Sequence, residues 1–400
     1  MNAFKIPGNI YYGTGAVRNI ASLDGSRALI CIGNHMKESS LLKKVISLLQ
    51  RANMVTEVLD GIKTEPVLKT VSGHIEQVRE FQPDWIIAIG GGAVLDFAKA
   101  IWVLYENQEV DSVKDYQKMQ DVIVGNKARF CAIPTTCGSG SEMSQVFVLK
   151  DNDTDIKIPV YNTYCMANVV ILDPAFVKTL PNQIIAQTGF DAFTHAIEAY
   201  VSKGATVFTD AMAEKALKLI YENIVQAYEL DKVALEKMQQ ASTIAGIAFS
   251  NASLDLCHAI SHKVANICEE VSINHGCANS IVLPKVMEFN SRDKKVCSKL
   301  AQIVDILQLE GNSYREKVQN LILSIIKMSK ELNLPSSLLE YLELRLSKDK
   351  IEQFELVVQE KINQIAPFVL EDLCLLTNPL NVTENDIVQI MSESIYTNNN

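Results

Sequence analysis

Short apolar runs alternate with amphipathic stretches through the first half of the chain. Ala28–Ile32 reads as a buried strand, and the pattern over Ser40–Gln50 repeats its apolar positions at helical spacing. Met54–Leu59 is a second strand, Val71–Phe81 a helix, and Asp84–Ile89 a strand running straight into Gly90-Gly91-Gly92. This βαβ rhythm predicts a Rossmann-like parallel sheet with helices on both faces. Beyond about Val177 the period changes to that of helices, as over Thr209–Ile224 and Ala234–Phe249, and stays so to the C-terminus. The expected organisation is an α/β nucleotide-binding domain over 1–180, a hinge at Leu180-Pro181-Asn182, and an all-helical metal-binding domain over 181–400.

Composition narrows the classes. At 400 residues with 48% hydrophobic content, the chain has room for two ordinary cores. A formal charge of −10 argues against nucleic acid, whose phosphates call for a basic face. No run has the length of a membrane span, and the first residues lack the pattern of a signal peptide. The nine cysteines show neither a disulfide framework nor a CxxC pair, so the expected compartment is the cytoplasm.

The chemistry concentrates in three helical-half segments. Asp191 and His195 stand at i,i+4, His258 and His262 repeat that spacing, and His275 precedes Gly276. Side chains at i,i+4 leave one helix face, which suits a shared metal ion. Four of the six histidines of the chain fall here. A lone histidine on a helix is usually an ordinary core or surface residue; four such groups among apolar neighbours are costly to bury without a neutralising ion. A carboxylate with imidazoles suits Fe2+ or Zn2+. The spacing leaves three roles open for His262: fifth ligand, neighbour of the ligands, or proton carrier.

Two loops of the first half carry a second signal. Gly90 to Ala93, followed by Asp96 and Lys99, lies between strand and helix, where free N–H groups can hold a pyrophosphate. The bland reading is a tight turn, with Asp96 and Lys99 a surface pair. Pro134 to Glu142 contains Thr135, Thr136 and Ser139, hydroxyls suited to phosphate or ribose; its bland reading is a polar loop capped by Glu142.

Taken in order, these segments resemble the iron-containing (group III) alcohol dehydrogenase family. The shared pattern is GGGxxxDxAK at 90–99, PTTxGSGSE at 134–142, TGxDAxTHAIEAY at 188–200, HAxxH at 258–262, HGxANxxxLP at 275–284 and a late Asn378-Pro379. The resemblance covers nearly the whole chain. It implies a metal-dependent, NAD(P)(H)-linked dehydrogenase. The ligands would be Asp191, His195, His258 and His275, with His262 a proton-relay residue. Gly91, Gly92, Ala93, Asp96, Thr135, Thr136, Ser139 and Lys157 would contact the cofactor. Phe249 and Cys374 would border a cavity for a small alcohol or aldehyde. A homo-oligomer is also implied.

Four departures bear on specificity. Ala93 stands where the family has serine, the His258–His275 interval is longer than usual, Ser253-Leu254-Asp255 replaces a glycine-rich approach, and Leu380 replaces an arginine. After the first strand the turn carries Gly33, Asn34 and Lys37 where NAD-specific relatives have an aspartate, so the expectation is NADP(H), with NAD(H) as the alternative. Rival readings are a lyase resembling dehydroquinate synthase, a polyol enzyme resembling glycerol dehydrogenase, or a non-catalytic nucleotide- or metal-binding protein. The first would need a basic cluster for a polyanion.

Overall fold

The computed structural model describes residues 3–62, 66–107, 116–150 and 157–396. They form two compact units, Met1–Leu180 and Pro181–Asn400.

The first unit is built on β1 (Asn9–Tyr12), β2 (Arg27–Gly33), β3 (Val55–Ile62), β4 (Trp85–Gly90), β5 (Arg129–Pro134) and β8 (Val169–Leu172). They form one parallel sheet in the order β1-β8-β5-β4-β2-β3. β2 and β4 are continuous apolar runs because both faces of a parallel sheet are covered. The helices α1 (Ser40–Arg51), α2 (Leu68–Phe81), α3 (Gly92–Glu106) and the short α4 (Tyr116–Met119) connect them. α1 shows why its segment folds so: Ser39 caps it by accepting from the Leu42 N–H, and Leu42, Val45 and Leu49 line its buried stripe. An antiparallel hairpin, β6 (Val146–Lys150) and β7 (Lys157–Tyr161), stands outside the sheet.

The chain moves outward from β2 to β3, then returns past β2 to β4 and onward to β5. The switch point therefore lies between the carboxyl ends of β2 and β4, where open α/β sheets bind ligands. Gly33 and Gly90 end those two strands.

The second unit holds α5 (Asn182–Val201), α6 (Val207–Tyr228), α7 (Lys232–Ala252), α8 (Leu256–Val264), α9 (His275–Asn290), α10 (Lys294–Ile306), α11 (Tyr314–Glu331), α12 (Leu338–Glu343), α13 (Lys348–Leu370) and α14 (Glu384–Ile395). α5 is buried over almost its whole length from Ile185 and packs on α6, α7 and α9. A helix apolar on every side belongs at the centre of a bundle, and its few polar residues are then candidates for function. Among them are Asp191, His195 and Glu198, all buried.

Candidate metal centre and nucleotide loops

Three helices converge on Asp191. Its Oδ1 lies 3.8 Å from His195 Nε2 on the same helix, 3.6 Å from His258 Nε2 on α8 and 3.5 Å from His275 Nε2 at the first residue of α9. Donor atoms held tetrahedrally at ordinary metal–ligand distances stand about 3.4 Å apart. The spacing and the oxygen–nitrogen donor chemistry both fit one divalent ion. Asn279, one turn after His275, donates its amide to Asp191 Oδ1 at 2.8 Å and lies 3.4 Å from both His258 Nε2 and His275 Nε2. Phe249 stacks on His195 with ring centroids 4.4 Å apart and closes one side with an apolar face.

The orientation of His258 comes from behind. Glu198 accepts from the Cys257 and His258 backbone N–H groups at 2.7 and 3.2 Å, and its Oε2 holds His258 Nδ1. This leaves Nε2 as the nitrogen with a free lone pair, the arrangement that metal-bound imidazoles adopt. Asp255 is fully buried beside Glu198. Burial, reinforced by the Glu198 charge, raises its carboxyl far above the usual range.

The same cluster imposes a pH signature on chelator-treated protein. Burial opposes charging of His258, but the Glu198 and Asp191 carboxylates outweigh it and raise the imidazole from 6.5 to about 9. A raised histidine contributes stability that is complete below pH 6.5 and lost as pH rises through 9. The thermal midpoint after chelation is therefore expected to fall across that window. Glu198→Gln should start lower and flatten the fall. A wild-type midpoint that rose with pH there would contradict the assignment.

His262 turns elsewhere. Its Nδ1 lies 3.2 Å from Asp372 Oδ2, which also receives Lys263 Nζ at 3.2 Å, while Asp372 Oδ1 accepts from the Cys374 N–H at 3.0 Å. Burial works against ionisation of Asp372, yet His262 and Lys263 hold its carboxyl well below the ordinary range. The His262 ring is stacked on His275 with centroids 5.3 Å apart, so it flanks the four-residue cluster from one side. Cys374 joins it there. Cys268, in the long interval before His275, is buried with its thiol directed at Glu270 within its own loop.

In the first unit the two loops read from the sequence meet. The Thr135 N–H donates to Gly90 O at 3.0 Å, and a Cβ on Gly92 would stand 2.8 Å from Ser139 Cβ, so only glycine allows this approach. α3 starts with no side-chain cap, and the Gly92 and Ala93 N–H groups make no hydrogen bond among the described residues. Free N–H groups at a helix start are suited to an anion. Gly33 adjoins it: a Cβ there would touch Val94 Cγ2 at 3.4 Å. Asn34 and Lys37 follow in the exposed turn. Lys157 opens β7 opposite Lys150.

The surface-pair reading of Asp96 and Lys99 is wrong. Lys99 is fully buried and donates to Ser141 O, Ser144 O, Ser144 Oγ and Val146 O at 2.6–3.1 Å. Asp96 accepts from Ser141 Oγ at 2.6 Å and from the Val148 N–H at 3.0 Å. Both residues brace the second loop. Glu142 is buried.

Glu198, Asp255, Asn279 and Asp372 were not singled out as site residues by sequence. Glu198 and Asn279 lie inside quoted motifs, one helical turn from His195 and His275, and that spacing was the available signal. Asp372 is 110 residues from His262, and no local spacing marks it.

Comparison with known proteins agrees with this geometry. Residues 7–174 match the family model for iron-containing alcohol dehydrogenase, and 185–395 match the C-terminal model of the Fe-containing alcohol dehydrogenase family. The NADPH-dependent butanol dehydrogenase of Clostridium saccharobutylicum is 36% identical over 399 residues, covering 99% of this chain and 98% of its own length. The aldehyde-alcohol dehydrogenase of Streptococcus pneumoniae serotype 2 is 31% identical over 99% of this chain, which spans only 46% of that protein. The solved iron-containing alcohol dehydrogenase from Thermococcus thioreducens superposes with a TM-score of 0.86 at 30% identity, covering 98% of this chain and 99% of that one. The chain belongs to the iron-containing alcohol dehydrogenase family.

Proposed function

We propose that this enzyme interconverts a small apolar primary alcohol and its aldehyde with NADP(H), using one divalent ion held by Asp191, His195, His258 and His275. The observation that carries the reading is the set of three imidazole nitrogens 3.5–3.8 Å from one carboxylate oxygen. An ion bound there supplies a Lewis acid that polarises the substrate oxygen. The protein's own groups do the rest. Asn279 fixes the Asp191 carboxylate, and Glu198 keeps the His258 proton on Nδ1. His262, oriented by Asp372, has its other nitrogen available to carry a proton away from the reacting oxygen. Phe249 gives the site an apolar wall, and Cys374 adds a second weakly polar surface.

The first unit binds the dinucleotide on this reading. The pyrophosphate lies on the Gly92 and Ala93 N–H groups, with Thr135, Thr136 and Ser139 beside it. The adenosine ribose then runs over the carboxyl end of β2, at Gly33. No carboxylate projects from that position to repel a 2′-phosphate. The name of the C. saccharobutylicum relative, with butanol and NADPH in it, points the same way.

The test is a substrate panel with anaerobically iron-loaded enzyme and both reduced cofactors. Each methylene in an apolar pocket is worth roughly 10-fold or more in kcat/KM. Butanal should therefore exceed acetaldehyde, and should exceed glyceraldehyde or a sulfonated aldehyde by at least about 100-fold. Activity confined to polyols or anionic aldehydes would refute the substrate assignment. A homo-oligomer in the cytoplasm remains part of the proposal, on the family resemblance.

A further inference from the structure

The turn after β2 holds a charge pair that the cofactor reading does not use. Lys37 Nζ lies 2.7 Å from Asp60 Oδ2, and the two side chains are 58% and 39% exposed. Asp60 is on the neighbouring strand, at an irregularity in the pairing. Cys31 is in register with Leu59 and Gly33 with Ile62, so Asp60 and Gly61 are the two residues set against Ile32. The carboxylate therefore comes from the strand beside the position where Gly33 lacks one, at the carboxyl edge of the sheet. Lys37 follows Gly33 in the turn that joins β2 to α1 and its ammonium reaches Asp60.

We propose that Asp60 is a specificity-determining positioning residue: it holds Lys37 in the resting turn and so sets how strongly the site favours a 2′-phosphate over a free ribose hydroxyl. This rests on the reading that the adenosine ribose lies at Gly33. An exposed ion pair is weak, because water and salt screen it. A phosphate monoester carries more charge and more acceptor oxygens than a carboxylate, so it can draw Lys37 away from Asp60. The lysine must leave one partner to reach the other, and the discrimination is reduced by whatever that pair is worth. A free ribose asks nothing of Lys37, so the pair has no effect on the unphosphorylated cofactor. Asp60 thus acts on one cofactor of the two, and the turn remains able to accept both.

The experiment measures binding of adenosine 2′,5′-bisphosphate and of 5′-AMP, which lacks only the 2′-phosphate, to the full chain by calorimetry, at fixed ionic strength, for wild type, Asp60→Asn, Lys37→Met and the double variant. Neither ligand requires turnover. Asp60→Asn should tighten the bisphosphate about 3- to 5-fold and leave 5′-AMP unchanged, as expected for release of one exposed pair. Lys37→Met should weaken the bisphosphate about 10-fold. In the Lys37→Met background, Asp60→Asn should have no further effect on either ligand.

An unchanged ratio in Asp60→Asn overturns the proposal. So does an equal gain in the Lys37→Met background, since Asp60 would then act on the phosphate directly. The cofactor reading fails separately. If wild type binds the bisphosphate no tighter than 5′-AMP, NADP(H) preference is lost, while a Lys37-dependent gain in Asp60→Asn would still establish the role of Asp60.

Discussion

Replacing His275 with alanine is expected to reduce kcat by at least about a thousandfold, because polarisation of the substrate oxygen by the metal is worth several kcal/mol. His275 is the only ligand candidate on α9, and Asp191, His195 and His258 lie on α5 and α8. Losing it removes one of three imidazoles around Asp191 Oδ1 without emptying a core position, since its side chain is 29% exposed. The variant should bind less iron on elemental analysis, and nucleotide binding to the first unit should survive. Retention of full activity in iron-depleted wild type would defeat the metal assignment. Loss of nucleotide binding along with turnover would instead mean that His275→Ala acts through folding.

Gly276→Ala should be nearly as damaging, for a different reason. A Cβ at Gly276 would stand 2.0 Å from Gln187 O and 2.6 Å from Gln187 C, both backbone atoms of α5. Backbone cannot step aside as a flexible side chain can. The start of α9 must move, and overpacking of this kind costs about 1–3 kcal/mol or more. His275 and the Asn274 cap, whose Oδ1 accepts from the Gly276 and Cys277 N–H groups, move with it. A single methyl is thus expected to lower the thermal midpoint and the iron content together. An alanine variant with wild-type iron content and midpoint would show that the α5–α9 approach is softer than its geometry implies.

What the sequence made legible is local. Spacing of i,i+4 marked Asp191 with His195 and placed His258 on one helix with His262; strand–glycine–helix order marked the first nucleotide loop, and hydroxyls the second. The partners that give those residues their roles lie far along the chain. His262 reads like His258 by spacing, yet one faces Asp372 and the other Asp191, and this follows from how α8 meets the segment after α13. Lys37 was read as available to a phosphate because Asp60, 23 residues on, cannot be seen opposite it before the strands pair. Lys99 was misread for a more instructive reason. From Phe97 to Tyr105 every residue except Lys99 is apolar, so α3 has no polar face on which a surface lysine could sit. The pattern held that information, but a charge three residues from an aspartate suggested a surface pair.

Buried Lys99 has a consequence for the energetics of cofactor binding. Its ammonium holds the backbone at Ser141, Ser144 and Val146, and Asp96 ties Ser141 and Val148 to the same helix. The chain folds around this cation as a loop folds around a bound ion, except that the ion is covalently supplied and cannot dissociate. The conformational entropy of the 139–146 loop is therefore surrendered during folding. A dinucleotide arriving at Thr135, Thr136 and Ser139 meets a loop already in place, and its hydrogen bonds register as affinity with little deducted for ordering. By the same logic Lys37, in an exposed turn without such an anchor, is where this surface keeps its adaptability.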